Sequence, residues 1–188
     1  MVALTLVHVI ASIIRGPFRS VKRKITVGPR LFWGGKRLKQ CRIVGEAPFE
    51  LVELEPDAKM AIVFTSGSTG TPKGVVWGQE LFQAQVRSVE KMLDMGPGRT
   101  QVQCFAAFAI QDICWGQTCV IPKMNLAKPA TANPADIVAA IVEHQADSAF
   151  ASPIVWIKVG PYCRSKGIRL PSLSKAVTTG APIPVHVH

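Results

Sequence analysis

The alternation of apolar and polar positions predicts the clearest elements in the middle of the chain. Met60 to Thr65 is an apolar, β-branched run that stops at a cluster of Gly, Ser and Thr, which is the pattern of a buried strand ending in a loop. A second apolar run, Val75 to Trp77, follows that loop. Leu81 to Leu93 then places apolar residues at helical spacing, and Gly96-Pro97-Gly98 ends the predicted helix.

The second half of the chain alternates short strands with helices. Val102 to Phe108 and Thr118 to Ile121 have the composition of strands. Asn133 and Pro134 predict a helix start, because asparagine caps a first turn and proline fits its first position. This order predicts an α/β fold with a mostly parallel sheet flanked by helices. The remaining predicted elements are a helical turn over Ile110 to Trp115, a strand over Asp147 to Ala151, a helix over Pro153 to Ser165 and a strand over Lys175 to Thr179.

The first residues differ from the rest and predict an apolar and basic N-terminal segment, 1–24, ahead of a domain over 25–188. Met1 to Ile14 is apolar with one histidine, and a basic stretch follows it. A secretory signal carries its charge before the apolar stretch, so export is not expected. Two interpretations stay open: a helix that packs against another part of the protein, or a peripheral contact with an anionic membrane surface. Ile25 to Val27 and Leu31 to Trp33 then have the pattern of short strands.

Charge and cysteine content narrow the function classes. The net charge is +10, but ten Lys and Arg precede Gly45 without any acid, and the remainder carries twelve basic and twelve acidic residues. The aromatic residues do not interleave with the charges in the pattern of a single-strand-binding protein, so a nucleic-acid partner is not expected. The five cysteines are an odd number without metal-ligand spacing. They predict a reduced, cytoplasmic protein with no disulfide framework and no metal site of its own.

A phosphate-binding loop is the strongest chemical signal in the sequence. Its glycines let the backbone approach an anion closely, its hydroxyls add donors, and its lysine adds a positive charge. It is not a Walker A loop, because Pro72 precedes the lysine and a glycine follows it. The candidate phosphate-binding residues are Thr65, Ser66, Gly67, Ser68, Thr69, Gly70, Thr71, Lys73 and Gly74.

Phe64 to Val75 resembles the phosphate-binding signature of the adenylate-forming (AMP-binding) enzymes, which include acyl-CoA synthetases and luciferases. Thr179 to Pro182 is similar to the segment that lies along the adenine in that family. Within it, the chain resembles the olefin β-lactone synthetases and fatty acyl-AMP or acyl-CoA ligase-like proteins. Val27 to Gly35, Cys104 to Ile110, Val120 to Met124, Ser152 to Trp156 and Leu170 to Pro184 carry that likeness.

The resemblance implies part of the large N-terminal domain of an adenylating enzyme, with ATP and Mg²⁺ as cofactors. It implies a carboxylic acid substrate, of fatty or 3-hydroxy fatty type, and adenine contacts from Gly180, Ala181 and Pro182. It assigns no catalytic residue to this chain, since the family's magnesium-binding glutamate and its C-terminal domain would lie after His188, in the same chain or a separate one. Candidates for the acyl pocket are Phe105, Phe108, Trp115 and Trp156, for which plain core packing is the alternative.

Two departures leave the acyl specificity open. Trp77-Gly78-Gln79 stands where many family members have a histidine, and Ile110 to Cys114 is more polar than expected of an acyl tunnel wall. The alternative function is a catalytically inactive remnant that still binds a nucleotide.

Overall fold

The computed structural model describes residues 1–41, 52–65 and 71–182, with the side chain of Thr65 left out. The chain divides into an N-terminal unit, Met1–Glu53, and a C-terminal unit, Leu54–His188. Each unit has its own β-structure, and the α/β class predicted from the sequence is confirmed.

The N-terminal unit contains a small parallel sheet and one helix. Its strands are β1 (Val2–Leu4), β2 (Ile25–Val27) and β3 (Lys36–Arg37), with β2 in the centre. Helix α1 (Thr5–Ile13) follows β1 directly. Because Val2 pairs with Ile25, the predicted segment 1–24 shares a sheet with the residues that follow it.

An aromatic stack lies at the centre of the N-terminal unit. His8 of α1 is fully buried and stacks on Trp33, with ring centroids 5.3 Å apart. His8 Nε2 lies 3.1 Å from the carbonyl oxygen of Ile25, and Trp33 Nε1 donates to Thr26 Oγ1 at 2.9 Å. The predicted strand over Leu31 to Trp33 is wrong, because no strand forms there and Trp33 turns inward to this stack.

The C-terminal unit begins with an antiparallel ribbon made of β4 (Lys59–Thr65) and β5 (Lys73–Gly78). The first was predicted as a buried strand and the second only as an apolar run, and burial of the first is contradicted for its described side chains. Ile62 and Phe64 expose 58% and 69% of their surfaces, because the two strands pair only with each other among the described residues and leave these side chains facing solvent.

The C-terminal unit also contains a four-stranded parallel sheet. Its strands are β6 (Thr100–Gln103), β7 (Thr118–Val120), β8 (Ser148–Ala151) and β9 (Lys175–Thr178), in the order β7-β6-β8-β9. Strand β6 ends earlier than the sequence predicted: the chain leaves the sheet after Gln103, and Ala106–Phe108 form a 3-10 turn.

Four helices accompany this sheet, and all were predicted within a few residues. They are α2 (Gln79–Leu93), α3 (Ala109–Cys114), α4 (Pro134–Glu143) and α5 (Pro153–Lys166). The predicted cap is confirmed, because the backbone N–H of Ala135 donates to Asn133 Oδ1 at 3.2 Å. Ile137 and Ile141 of α4 pack with Val155 of α5 in the hydrophobic core of this unit. None of the helices in the described parts of the chain has the length and apolarity needed to span a bilayer.

Candidate active site

The antiparallel ribbon positions the two ends of the predicted phosphate loop. Thr65, the last residue of β4, is the register partner of Lys73, the first residue of β5, and Phe64 is opposite Gly74. The loop is therefore closed by paired strands on both sides, which fixes the distance between its ends. Ser66, Gly67, Ser68, Thr69 and Gly70 lie outside the described residues, so their predicted role stays a prediction.

The C-terminal end of this loop carries a cation and a glycine. Lys73 is exposed at the start of β5, with Thr71 exposed two residues before it. At Gly74, a Cβ atom would lie 3.0 Å from Ile62 Cγ2 and 3.4 Å from Phe64 Cε1. A side chain at this position would therefore crowd the exposed side chains of Ile62 and Phe64, which would have to shift by a few tenths of an ångström.

The predicted adenine segment begins where β9 ends. Thr178 is the last residue of β9. Gly180, two positions later, has φ +97°, and no atom of the described residues lies within 4 Å of a Cβ at that position. Ala181 and Pro182 are exposed. In parallel α/β sheets, ligands bind outside the carboxyl ends of the strands, which is where this segment lies.

A cavity of about 250 Å³ lies between α2 and the carboxyl ends of β6, β8 and β9. Its apolar walls come mainly from Met92, Met95, Phe108, Trp115, Phe150 and Val177. Two of the four predicted acyl-pocket residues, Phe108 and Trp115, line this cavity. Trp115 Nε1 donates to the carbonyl oxygen of Val86 at 3.0 Å, which ties the turn after α3 to α2.

The other two predicted aromatic residues lie elsewhere. Trp156 is buried in the hydrophobic core of the unit, and its Nε1 donates to the carbonyl oxygen of Val177 at 3.3 Å. Phe105 is 44% exposed and contacts the ring of Phe108 with centroids 5.4 Å apart. Neither residue lines the cavity.

A buried polar network, which the sequence did not predict, lies beside the cavity. Gln101 Nε2 donates to Asp112 Oδ1 at 2.7 Å, and Gln103 Nε2 donates to Asp112 Oδ2 at 3.2 Å. Ser148 Oγ donates to Gln101 Oε1 at 3.1 Å. All four residues are at most 2% exposed. The only sequence signal for the network is the spacing of two glutamines at i and i+2 on a strand, which places both on one face.

The protonation behaviour of this network follows from its burial. Burial raises the pKa of the Asp112 carboxyl above its ordinary value, while hydrogen bonds from Cys119 and Gln103 act in the opposite direction. Burial and the neighbouring Asp112 carboxylate raise the pKa of the Cys119 thiol to about 12. Cys119 is therefore a protonated donor at neutral pH and not a nucleophile.

Two polar atoms on cavity-lining residues have no partner among the described residues. These are Nε2 of Gln111, which is 5% exposed, and Oγ1 of Thr178. An unpaired buried donor costs about 1–3 kcal/mol, so most such groups in folded proteins have a partner. The described chain also holds no cluster of three or more His, Cys, Asp or Glu that could bind a metal ion.

Comparisons with known proteins identify the family of this chain. The family model described as AMP-binding enzyme matches residues 14–188. An olefin beta-lactone synthetase of Xanthomonas campestris is 37% identical over 169 residues, covering 89% of this chain and 30% of that protein. An olefin beta-lactone synthetase of Stenotrophomonas maltophilia is 33% identical over 187 residues, covering 99% of this chain and 33% of that protein.

Solved structures show the same fold. The inhibitor-bound N-terminal domain of FACL13 from Mycobacterium tuberculosis superposes with a TM-score of 0.75 at 20% identity, covering 99% of this chain and 46% of that one. The chain spans about a third of the length of the two curated relatives that it matches.

Proposed function

Because the chain belongs to the AMP-binding enzyme family, we propose that it takes part in the ATP-dependent activation of a carboxylic acid. The substrate carboxylate oxygen attacks the α-phosphorus of ATP, the bond from that phosphorus to the bridging oxygen breaks, and pyrophosphate leaves. The product is an acyl-adenylate. In such a reaction the protein mainly positions the reactants and neutralises charge.

The observation that carries this proposal is the cavity between α2 and the carboxyl ends of three parallel strands, next to Thr178–Pro182. An acid whose apolar chain fills that cavity has its carboxylate end at the ligand-binding edge of the sheet. Gly180, Ala181 and Pro182 are the proposed adenine contacts. Thr65 to Thr71 together with Lys73 and Gly74 are the proposed contacts of the β- and γ-phosphates.

The acid is proposed to be a fatty acid or a 3-hydroxy fatty acid. The apolar walls of the cavity support an aliphatic chain, and two olefin beta-lactone synthetases are among the relatives. For a 3-hydroxy acid, closure of the hydroxyl oxygen on the activated carbonyl would release AMP and leave a β-lactone. Mg²⁺ is proposed to accompany ATP, with the phosphate oxygens as part of its ligands. No step of the proposed reaction is assigned to it, because the described residues offer no cluster that would hold it.

Three further properties belong to the same proposal. Residues 25–188 form a partial adenylation domain whose activity needs the family's C-terminal domain, in the same chain or a separate one. The compartment is the cytoplasm, as the free cysteines suggest.

Segment 1–24 makes a peripheral membrane contact, since α1 exposes Leu6 and Ile13 and a basic stretch follows. Cosedimentation with anionic vesicles checks that contact, and equal binding to neutral vesicles would contradict it.

Calorimetric titration with ATP and pyrophosphate release with long-chain acids test the function. Lys73→Ala is expected to weaken ATP binding at least about tenfold, because a charge-assisted contact to phosphate is lost. Lys59→Ala is the matched control, since Lys59 is an exposed lysine at the opposite end of the same strand pair. Equal affinities in all three proteins would contradict the assignment of the loop. Lys73-dependent binding without pyrophosphate release, even with the family's C-terminal domain present, would favour the inactive nucleotide-binding remnant.

A further inference from the structure

The cavity between α2 and the sheet has more polar side chains in its wall than an aliphatic ligand would need. Four glutamines line it, Gln85, Gln101, Gln103 and Gln111, together with Thr178 at the end of β9. Apolar pockets commonly carry a few polar groups, and those groups fix the orientation of the ligand and its specificity. The wall can recognise a ligand only through polar groups that are not already hydrogen-bonded within the protein.

Gln101 and Gln103 use both ends of their amides inside the protein. Their Nε2 atoms donate to the two oxygens of Asp112. Gln101 Oε1 accepts from Ser148, and Gln103 Oε1 accepts from the backbone N–H of Phe105 at 3.1 Å. Asp112 is fully buried and holds both side chains in this arrangement. The two residues therefore support the wall and offer little to a ligand.

Gln111 and Thr178 differ from these two in having polar atoms without a hydrogen-bond partner in the described chain. Gln111 Nε2 is a buried donor, and Gln111 is 5% exposed. Thr178 Oγ1 is a buried hydroxyl on a second cavity-lining residue. They come from different elements, α3 and β9, that line the same apolar space. Two unpaired groups of this kind at one cavity point to a polar group on the ligand itself.

We propose that Gln111 and Thr178 recognise a hydroxyl group on the chain of the acid, and so make this a site for hydroxy acids over unsubstituted acids. The Gln111 amide donates to the oxygen of the ligand hydroxyl. A second hydrogen bond joins that hydroxyl and Thr178 Oγ1, and either group can be its donor. A hydroxyl fits because the same atom accepts and donates. The inference rests on the proposed function, which supplies the acid.

Discrimination follows from the cost of leaving these groups unpaired. A site built to hydrogen-bond a ligand hydroxyl rejects the analogue that lacks it, because its own buried polar atoms then stay without partners. An added methyl or methylene group in the apolar part of the cavity would change binding far less. We therefore expect the full chain to bind 3-hydroxydecanoate at least about tenfold more tightly than decanoate.

The test is calorimetric titration of the full chain with these two acids, in wild type and four variants. Gln111→Met keeps the length of the side chain and removes the amide, and Thr178→Val keeps its shape and removes the hydroxyl. Each is expected to weaken binding of the hydroxy acid about tenfold and to leave decanoate unchanged. Gln85→Met and Thr178→Ser are the matched controls and are expected to keep the preference.

A spectroscopic readout separates recognition from a change in folding. The side-chain amide resonance of Gln111, identified by its loss in Gln111→Met, is expected to shift on addition of 3-hydroxydecanoate and to stay in place with decanoate. Equal affinity of the wild type for the two acids would overturn the inference alone. So would an equal loss for both acids in Gln111→Met, since Gln111 would then serve the carboxylate or the fold. Failure of both acids to bind the wild type would overturn the proposed acid site and the inference with it.

Discussion

The N-terminal unit and the four-stranded sheet of the C-terminal unit both use parallel strands, yet they are stabilised differently. The strands of the sheet are covered by packed helices, and Ile137, Ile141 and Val102 are fully buried between these layers. In the N-terminal unit the strands have three, three and two residues. Its buried centre consists mainly of His8, Trp33 and Thr26.

This difference shows that the stability of a parallel sheet depends on the side chains and helices that cover it. Burial of aliphatic side chains is non-directional and scales with the area removed from water, so the larger sheet has many interchangeable contributions. The N-terminal unit depends on a few directional contacts, such as the His8–Trp33 stack, and on close backbone approaches. It also exposes large apolar side chains, among them Leu6 at 67% and Phe32 at 75%. We therefore expect truncation of buried side chains to lower the stability of the C-terminal unit most, and backbone substitutions to lower the stability of the N-terminal unit most.

The largest expected effect is truncation of the aliphatic core. Ile141→Ala removes a fully buried side chain from α4 and is expected to lower the free energy of unfolding by about 2–5 kcal/mol. Leu6→Ala removes an equally large side chain from an exposed position and is expected to change it by less than about 0.5 kcal/mol. Urea denaturation followed by circular dichroism measures both values.

Val142→Ala is the control within the same helix, because Val142 is 45% exposed beside Ile141. Its cost should be well below that of Ile141→Ala. A comparable loss of stability in Leu6→Ala and Ile141→Ala would show that α1 has a buried apolar face, and the contrast between the two units would fail.

A backbone substitution is expected to have the next largest effect, in the N-terminal unit. Gly35 has φ +101°, and a Cβ there would lie 2.2 Å from the carbonyl oxygen of Lys24. Strain and overlap together are expected to cost about 3 kcal/mol in Gly35→Ala. Gly34→Ala is the matched control, because no atom of the described residues lies within 4 Å of a Cβ at Gly34.

Amide hydrogen exchange measures this effect locally. Peptides that contain β2 and β3 are expected to lose protection in Gly35→Ala, while peptides from β6 and β8 keep theirs. Equal protection of β2 and β3 in the Gly34 and Gly35 variants would contradict the prediction.

A smaller, pH-dependent effect is expected from the buried network. The folded-state pKa of Asp112 lies above its ordinary value, so the unfolded state releases its proton first as pH rises. Stability linked to this group is thus full below pH 3.8 and is lost as pH rises through the folded-state pKa. Asp112→Asn removes one acceptor from Gln101 or Gln103 and is expected to cost about 1–3 kcal/mol at acid pH, and less at neutral pH.

Thermal unfolding of wild type and Asp112→Asn between pH 4 and pH 8 measures this difference. Asp57→Asn, at an exposed carboxylate, serves as the control. A stability difference that grows as pH rises would show the opposite sign and would exclude burial as the dominant influence on Asp112.

Most secondary structure of the C-terminal unit could be predicted because its signals are local. Asn133 and Pro134 specify a helix start through their own backbone and side-chain chemistry, and the structure confirms that cap. The strand predicted over Leu31 to Trp33 is absent because Trp33 stacks on His8, which is 25 positions away in the sequence. The exposure of Phe64 was also missed, since an apolar run does not reveal whether a second layer covers it.

The sequence by itself determined the α/β class, the approximate positions of the helices in the C-terminal unit and the Gly, Ser and Thr loop with its lysine between two apolar runs, because periodicity, caps and glycine positions act over a few residues. Tertiary structure alone decided which polar side chains are satisfied. Gln101 contacts Ser148, 47 positions away, and both strand glutamines contact Asp112, whereas the amide nitrogen of Gln111 beside the cavity has no hydrogen-bond partner among the described residues. Such pairings depend on strand order and register, and no local pattern encodes them.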